Sequence, residues 1–209
     1  MSPAAAKAAL RAGVRAERSG EPDAERHARD AARLPHLLAL AKGHDAVACY
    51  VSLAPEPDTG ALIEALHAGG VRVLLPLLRG RRTPAWAWYA GPGTLVPGWR
   101  GIPEPAGGEA EGLAAVSLVI TSALLATRQG VRLGTGGGWY DRALVARDPD
   151  ALVASVLNAR EIVTGLPVEE FDVRVDALVT EDGLLTADGL VTEEQDPPEC
   201  RYHRRLFRS

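Results

Sequence analysis

Cysteine is scarce in this chain of 209 residues: there are two, Cys49 in an apolar run and Cys200 in a polar tail. They have neither the spacing of a metal site nor the number of a disulfide framework, so both read as reduced thiols. Long apolar runs are missing as well. No stretch approaches the roughly 18 uncharged apolar residues of a membrane span. Met1 to Arg18 is alanine-rich but broken by Lys7, Arg11, Arg15 and Arg18, and lacks the apolar centre of a secretory signal. The expected compartment is the cytoplasm. Nor is there an excess of positive charge: 23 Lys and Arg against 27 Asp and Glu give a formal net charge of −4, with a pI near 5.8. Nothing in that balance attracts a phosphate backbone over long range, so any anionic ligand must be held by a local cluster of cations. Neither nucleic acid, nor a membrane, nor a protein partner is expected.

What is present describes an ordinary globular chain, 46% apolar and 24% charged, far from the composition of disorder. Its length suits one large domain over residues 1–195, followed by a polar tail over 196–209. Residues 3–18 suit a helix, with Lys7, Arg11 and Arg15 at the four-residue spacing that aligns side chains on one positive face. A second helix is expected over 24–41, with an apolar stripe of Ala31, Leu34, Leu37, Leu38 and Ala41 and an end at Gly43. The apolar run 45–53 reads as a strand buried on both faces. Thr59 is placed to cap a helix that ends at Gly69-Gly70, and 71–75 is the next strand. Residues 79–112, rich in Gly, Pro and Trp, read as a long ordered loop region with short strands, a place for a substrate. Strands are expected at 116–120, 151–157 and 175–180, with a loop over 121–138 and a helix over 140–146. Alternating strands and helices imply an α/β fold of three layers, a mainly parallel sheet with helices on both faces.

The chemistry concentrates in Arg132-Leu133-Gly134-Thr135-Gly136-Gly137-Gly138-Trp139-Tyr140-Asp141, between a strand and a helix, where backbone N–H groups and the helix dipole favour an anion. Four glycines in five positions remove the side chains that would hold a phosphate away from that backbone. No Gly-Lys-Ser/Thr follows, so this is not a P-loop, and Trp139 stands where the dinucleotide fingerprint has its third glycine. Glycines alone would make only a tight turn. The arginine before them can pair with phosphate and the acid after them can hold a Mg²⁺ that bridges phosphates; the same acid can also cap the helix.

This run resembles the signature of the 5-formyltetrahydrofolate cyclo-ligases, Arg-Leu-Gly-x-Gly-x-Gly-x-Tyr-Asp, at every fixed position. Lys7 and Arg11 match an N-terminal Lys-x-x-x-Arg, Glu56 to Thr59 looks like the family's Glu-x-x-Thr, and Glu104-Pro105 matches a Glu-Pro. Pro167, Asp172, Val175, Asp176, Thr180 and Glu181 echo the closing stretch. The resemblance implies ATP- and Mg²⁺-dependent cyclisation of 5-formyltetrahydrofolate to 5,10-methenyltetrahydrofolate through a phosphorylated formyl (iminium phosphate) intermediate. By position, Lys7, Arg11 and the run Arg132 to Tyr140 would hold ATP. Asp141 and Asp172 would hold Mg²⁺. Val51 and Glu56, with Gly136, Gly138 and Tyr140, would face the folate. Phosphoryl transfer of this kind needs positioning and charge neutralisation more than a protein nucleophile, and no Ser-His-Asp set is found. Lys7 and Arg11 also fit a merely solvated helix face, Glu56 fits plain surface, and Trp86, Trp88 and Trp99 fit either a pterin stack or the core.

Two departures border the run. The family's Pro-Gly-hydrophobic segment ends in an acid where this chain has Thr127, and its histidine before Asp172 is Phe171 here. Two other readings stay open. One is a non-catalytic paralogue that binds nucleotide or folate, favoured by the change at Thr127. The other is a sugar-phosphate isomerase or CoA-transferase of similar architecture, which would need a catalytic carboxylate and no ATP.

Overall fold

The computed structural model describes residues 2–79, 83–110, 112–169, 171–186 and 189–191; the expected tail over 196–209, and Cys200 within it, lie outside them. Helix α1 (Pro3–Ser19) opens where Ser2 accepts the Ala5 N–H and Pro3 fills the first turn, the residue types that start helices. Then come α2 (Asp23–Ala41), β1 (Ala46–Ala48), α3 (Gly60–Ala68), β2 (Arg72–Pro76), β3 (Trp86–Trp88), β4 (Leu95–Pro97), β5 (Pro103–Pro105), β6 (Leu118–Ser122), β7 (Leu125–Thr127), β8 (Arg132–Leu133), α4 (Trp139–Leu144), β9 (Leu152–Val156), β10 (Ile162–Val163), β11 (Ala177–Thr180), β12 (Gly183–Thr186) and β13 (Gly189–Val191). No helix among the described residues is long and apolar enough to cross a membrane.

Among the described residues the main sheet has eight strands, in the order β13-β12-β11-β9-β6-β1-β2-β3. Strands β2, β1, β6, β9 and β11 are parallel, while β3, β12 and β13 add antiparallel edges. Its inner strands bury both faces. Val47, Val73, Leu75, Leu118, Ile120 and Leu152 pack under α2 and α3, whereas Ala48, Leu74, Val119 and Val153 pack under α4 and Trp86. The expected three-layer α/β arrangement is therefore present, and the period-two alternation of nearly all-apolar strands is its cause. The sheet grows from β1 in both directions, first to β2 and then through β6, so a crevice opens past the carboxyl ends of β1 and β6. A small sheet, β10-β7-β8, stands beside it. Val14 of α1 packs against its Leu125 and Leu133, which fixes α1 next to the glycine run.

Several sequence expectations need correction. The run 45–53 is sheet only over β1, and the chain then leaves through buried Tyr50 towards the crevice. In α2 the buried stripe is Arg33, Leu37, Leu40 and Ala41, while Leu38 and Ala31 face outward. The phase is shifted because Arg33, fully buried, binds Asp30, Asn158 and Glu181 through its two terminal nitrogens and takes a core position that apolar counting gives to others. Helix α3 is capped by Asp58, whose carboxylate accepts the Gly60 and Ala61 N–H groups; the Thr59 hydroxyl instead donates to the Tyr50 carbonyl at 2.6 Å. Strands β7 and β8 lie within the expected loop over 121–138. Their pairing satisfies backbone groups locally, but two or three residues are too short to show a period.

Candidate active site

The glycine run begins on β8, where Arg132 and Leu133 are buried, and ends at Gly138, which precedes α4 with a φ of 59°. Between them the loop turns its carbonyls to arginines: Arg11 Nε donates to Gly134 O at 2.9 Å, Arg15 Nη2 to Thr135 O at 2.9 Å and Arg142 Nη1 to Gly137 O at 3.0 Å. Among the described residues the N–H groups of Gly136 to Gly138 meet no protein acceptor. Gly136 has a φ of +109°, and a Cβ there would come within 3.3 Å of Arg11 Nε, so glycine is needed for both reasons.

Two clefts meet at this loop. The smaller, about 260 Å³, is walled by the whole run Arg132 to Asp141 and, opposite it, by Ala4, Lys7, Arg11, Glu169, Phe171 and Asp172. The larger, about 810 Å³, is walled by Arg15, Tyr50, Val51, Glu56, Leu78, Trp99, Arg100 and Ile102, among others. Ser122, Thr135, Gly136, Gly137, Trp139 and Tyr140 belong to both. Tyr50 follows β1 and Ser122 ends β6, which places the junction at the crevice where the strand order reverses.

Charge in the smaller cleft is balanced in pairs. Lys7, its side chain 7% exposed, lies 2.6 Å from Glu169 and 2.8 Å from Asp172; Arg132 lies 2.7 Å from Asp141, whose same oxygen takes the Val173 N–H at 3.3 Å. Burial pulls the Lys7 ammonium down, but the hydrogen bonds and charges of Asp172 and Glu169 outweigh it and leave it raised. Asp141 does not cap α4. Three buried donors at the junction, Arg132 Nε, Trp139 Nε1 and Tyr140 OH, have no partner among the described residues, an arrangement that proteins seldom keep without a ligand or water to fill it. Burial also pushes the Tyr140 phenol well up. In the larger cleft it raises the Glu56 carboxyl, against the opposing pull of the Leu53 N–H and of Arg18 and Arg15.

Every sequence-predicted site residue therefore lies on one of the two clefts. Lys7, Arg11, Arg132, Leu133, Gly134, Asp141 and Asp172 line the smaller, Val51 and Glu56 the larger, and Thr135, Gly136, Gly137, Trp139 and Tyr140 both, while Gly138 lines the smaller only. The solvated-face reading fails for Lys7. Of the tryptophans, Trp86 is core, 5.0 Å from the Trp139 ring, Trp88 packs under Arg72, and Trp99, 43% exposed, lines the larger cleft. Sequence reasoning missed Arg15, Glu169, Tyr50 and Ser122. Arg15 shared the register of Lys7 and Arg11, and Ser122 followed an apolar strand, so both had a signal. Buried Glu104 accepts the N–H groups of Leu78, Arg79 and Trp99 and so ties down one wall of the larger cleft. Thr127 is buried in a tight turn, its N–H on Val131 O and its carbonyl taking the Gly130 N–H; it forms no part of either cleft wall, whereas Phe171 does.

Known proteins resemble this chain over most of its length. The model of the 5-formyltetrahydrofolate cyclo-ligase family matches residues 3–181. A 5-formyltetrahydrofolate cyclo-ligase of Mycolicibacterium smegmatis is 34% identical over 187 residues, 86% of this chain and 95% of that protein. The Escherichia coli K12 protein of the same name is 33% identical over 139 residues, 64% of this chain and 76% of that protein. Among solved structures, the NMR structure of Aquifex aeolicus 5,10-methenyltetrahydrofolate synthetase superposes with a TM-score of 0.77 at 26% identity, covering 93% of this chain and 99% of that one.

Proposed function

This chain belongs to the 5-formyltetrahydrofolate cyclo-ligase family, and from that premise we propose that it is the ATP- and Mg²⁺-dependent enzyme that closes 5-formyltetrahydrofolate to 5,10-methenyltetrahydrofolate. A formyl oxygen on N5 is a poor leaving group. It attacks the γ-phosphorus, the bond to ADP breaks, and the formyl carbon becomes an iminium phosphate. N10 then adds to that carbon, the C–O bond breaks as phosphate leaves with its electrons, and the N10 proton is lost. The observation that carries this reading is the wall of Gly136, Gly137, Trp139 and Tyr140 that both clefts share, since the transfer needs the terminal phosphate and the formyl group to meet.

Lys7, Arg11, Arg132 and the run to Tyr140 are assigned to ATP, and the unclaimed N–H side of the glycine loop suits its phosphates. Val51, Glu56 and Tyr140 are assigned to the folate, whose flat ring suits the larger cleft. Asp141 and Asp172 would hold Mg²⁺. The donor set fits: two carboxylates on separate segments line the smaller cleft, and Mg²⁺ takes one or two carboxylates together with phosphate oxygens and waters. Among the described residues no three His, Cys, Asp or Glu side chains form a protein cage. When bound, the ion would neutralise charge on the phosphates. Lys7 and Arg132, already paired with those carboxylates, are positioned to pass to the phosphates. One domain carries the activity in this reading, in the cytoplasm, with small molecules as its ligands.

The test is spectrophotometric. Purified protein given 5-formyltetrahydrofolate should build up methenyl absorbance only when ATP and Mg²⁺ are both present. A slope that does not depend on ATP, or none at all, would refute the assignment.

A further inference from the structure

We propose that Phe171 is the shelf on which the nucleotide's purine base stacks, an inference that rests on the smaller cleft being the nucleotide site. Phe171 is an apolar ring left 65% exposed, yet it lines that cleft, so a flat ligand is what would remove its surface from water. Asp172, next to it, and Glu169 are tied together. Asp172 N–H donates to Glu169 O at 3.0 Å, Asp172 Oδ2 takes the Glu169 N–H at 2.8 Å, and both carboxylates are bound by buried Lys7. The ring is thus presented from a turn anchored to α1.

Helix α1 acts as a ruler along the cleft. Ala4, Lys7 and Arg11 share one face at helical spacing and all three line it. Arg11 touches the glycine loop at Gly134, Lys7 touches the 169–172 turn, and Ala4 lies at the far end. Seven residues of helix advance by about 10 Å, comparable with the reach from the terminal phosphates of a nucleoside triphosphate to its base. With phosphates on the glycine loop, the base arrives between Ala4, too small to obstruct a flat ring, and Phe171.

Stacking on an aromatic side chain is tolerant of base identity, and its loss corresponds to roughly 5- to 20-fold in affinity at a partly exposed site. Calorimetric titration of Mg-ATP and of Mg-tripolyphosphate into wild type, Phe171→Ala and Phe171→Trp separates the base from the phosphates. Phe171→Ala should weaken ATP by that factor and leave tripolyphosphate within about 2-fold, while Phe171→Trp keeps ATP affinity. In turnover the KM for ATP should rise with kcat and the KM for folate unchanged. Equal loss for ATP and tripolyphosphate would mean that the ring acts through the Lys7 turn and would overturn the proposal, as would unchanged ATP affinity in Phe171→Ala. If wild type binds neither ligand, the cleft assignment itself fails and the shelf with it, an outcome separable from both others.

Discussion

Replacing Lys7 by methionine should lower thermal stability measurably even without ligand. Methionine keeps an unbranched stem in the buried slot and removes only the charge. Asp172, 15% exposed at its side chain, and Glu169, 36% exposed, then face each other without their shared cation. Breaking a fully buried pair costs about 3–5 kcal/mol, whereas an exposed pair contributes about 0–1. Glu169 can swing into water and belongs near the second case. Asp172 keeps the Glu169 N–H but loses its charge partner. The sum is about 2–3 kcal/mol, and for a chain of this size each kcal/mol shifts Tm by roughly 2–4 °C, so a drop of roughly 5–10 °C is expected in calorimetry. Adding Asp172→Asn should recover part of it, because the two side chains are directly coupled. The sign with pH follows from the raised Lys7 value: its stabilisation is fully present below the ordinary lysine range and is lost only as pH rises through the folded value. The deficit of the variant should therefore be constant around neutrality. A Tm within about 1 °C of wild type would show that Lys7 is a solvated helix residue after all.

Asp141→Asn preserves an acceptor for Arg132 but removes the charge offered to Mg²⁺, so turnover should fall by roughly 10²-fold or more while the KM for folate barely moves; near-wild-type rates would remove Asp141 from the metal site. Gly130→Ala should destabilise by roughly 3–5 kcal/mol in urea titration, combining left-handed strain with overpacking. Gly130 has a φ of +79° and its added Cβ would stand 2.1 Å from the Val175 carbonyl oxygen; a loss under about 1 kcal/mol would contradict that geometry. For Glu56, burial raises the carboxyl, so as pH falls it takes up its proton before an ordinary glutamate would, and the KM for folate should begin to climb above the usual carboxylate range. Its ionised form is the disfavoured one in the fold, so Glu56→Gln should be slightly more stable at neutral pH. The same variant should flatten the KM profile above the usual carboxylate range, where the raised Glu56 carboxyl takes up its proton; coincident profiles would exclude Glu56 as the titrating group.

Periodicity and local chemistry settled much of this protein before any packing was considered. The apolar runs at Val47, Val73, Val119 and Val153 mark strands buried on both faces because no alternating polar residue interrupts them, and that alone requires helices above and below. The run Arg132 to Asp141 announces a ligand loop because its glycines serve no regular element. Tertiary structure decided what depends on partners distant in sequence. Lys7 reads as a surface cation until Glu169 and Asp172, more than 160 residues away, enclose it. Arg33 takes a core position because Asn158 and Glu181 bind its Nη2 there, and the helix phase follows from that long-range pairing. Phe171 was visible as a departure from a pattern, but its place on a cleft wall depends on the turn that Lys7 anchors. Two clefts sharing one loop cannot be read from either half of the chain. Charge neutralisation and close packing operate through space, and a hydropathy period along the chain records only which face is apolar, not which residue will stand opposite.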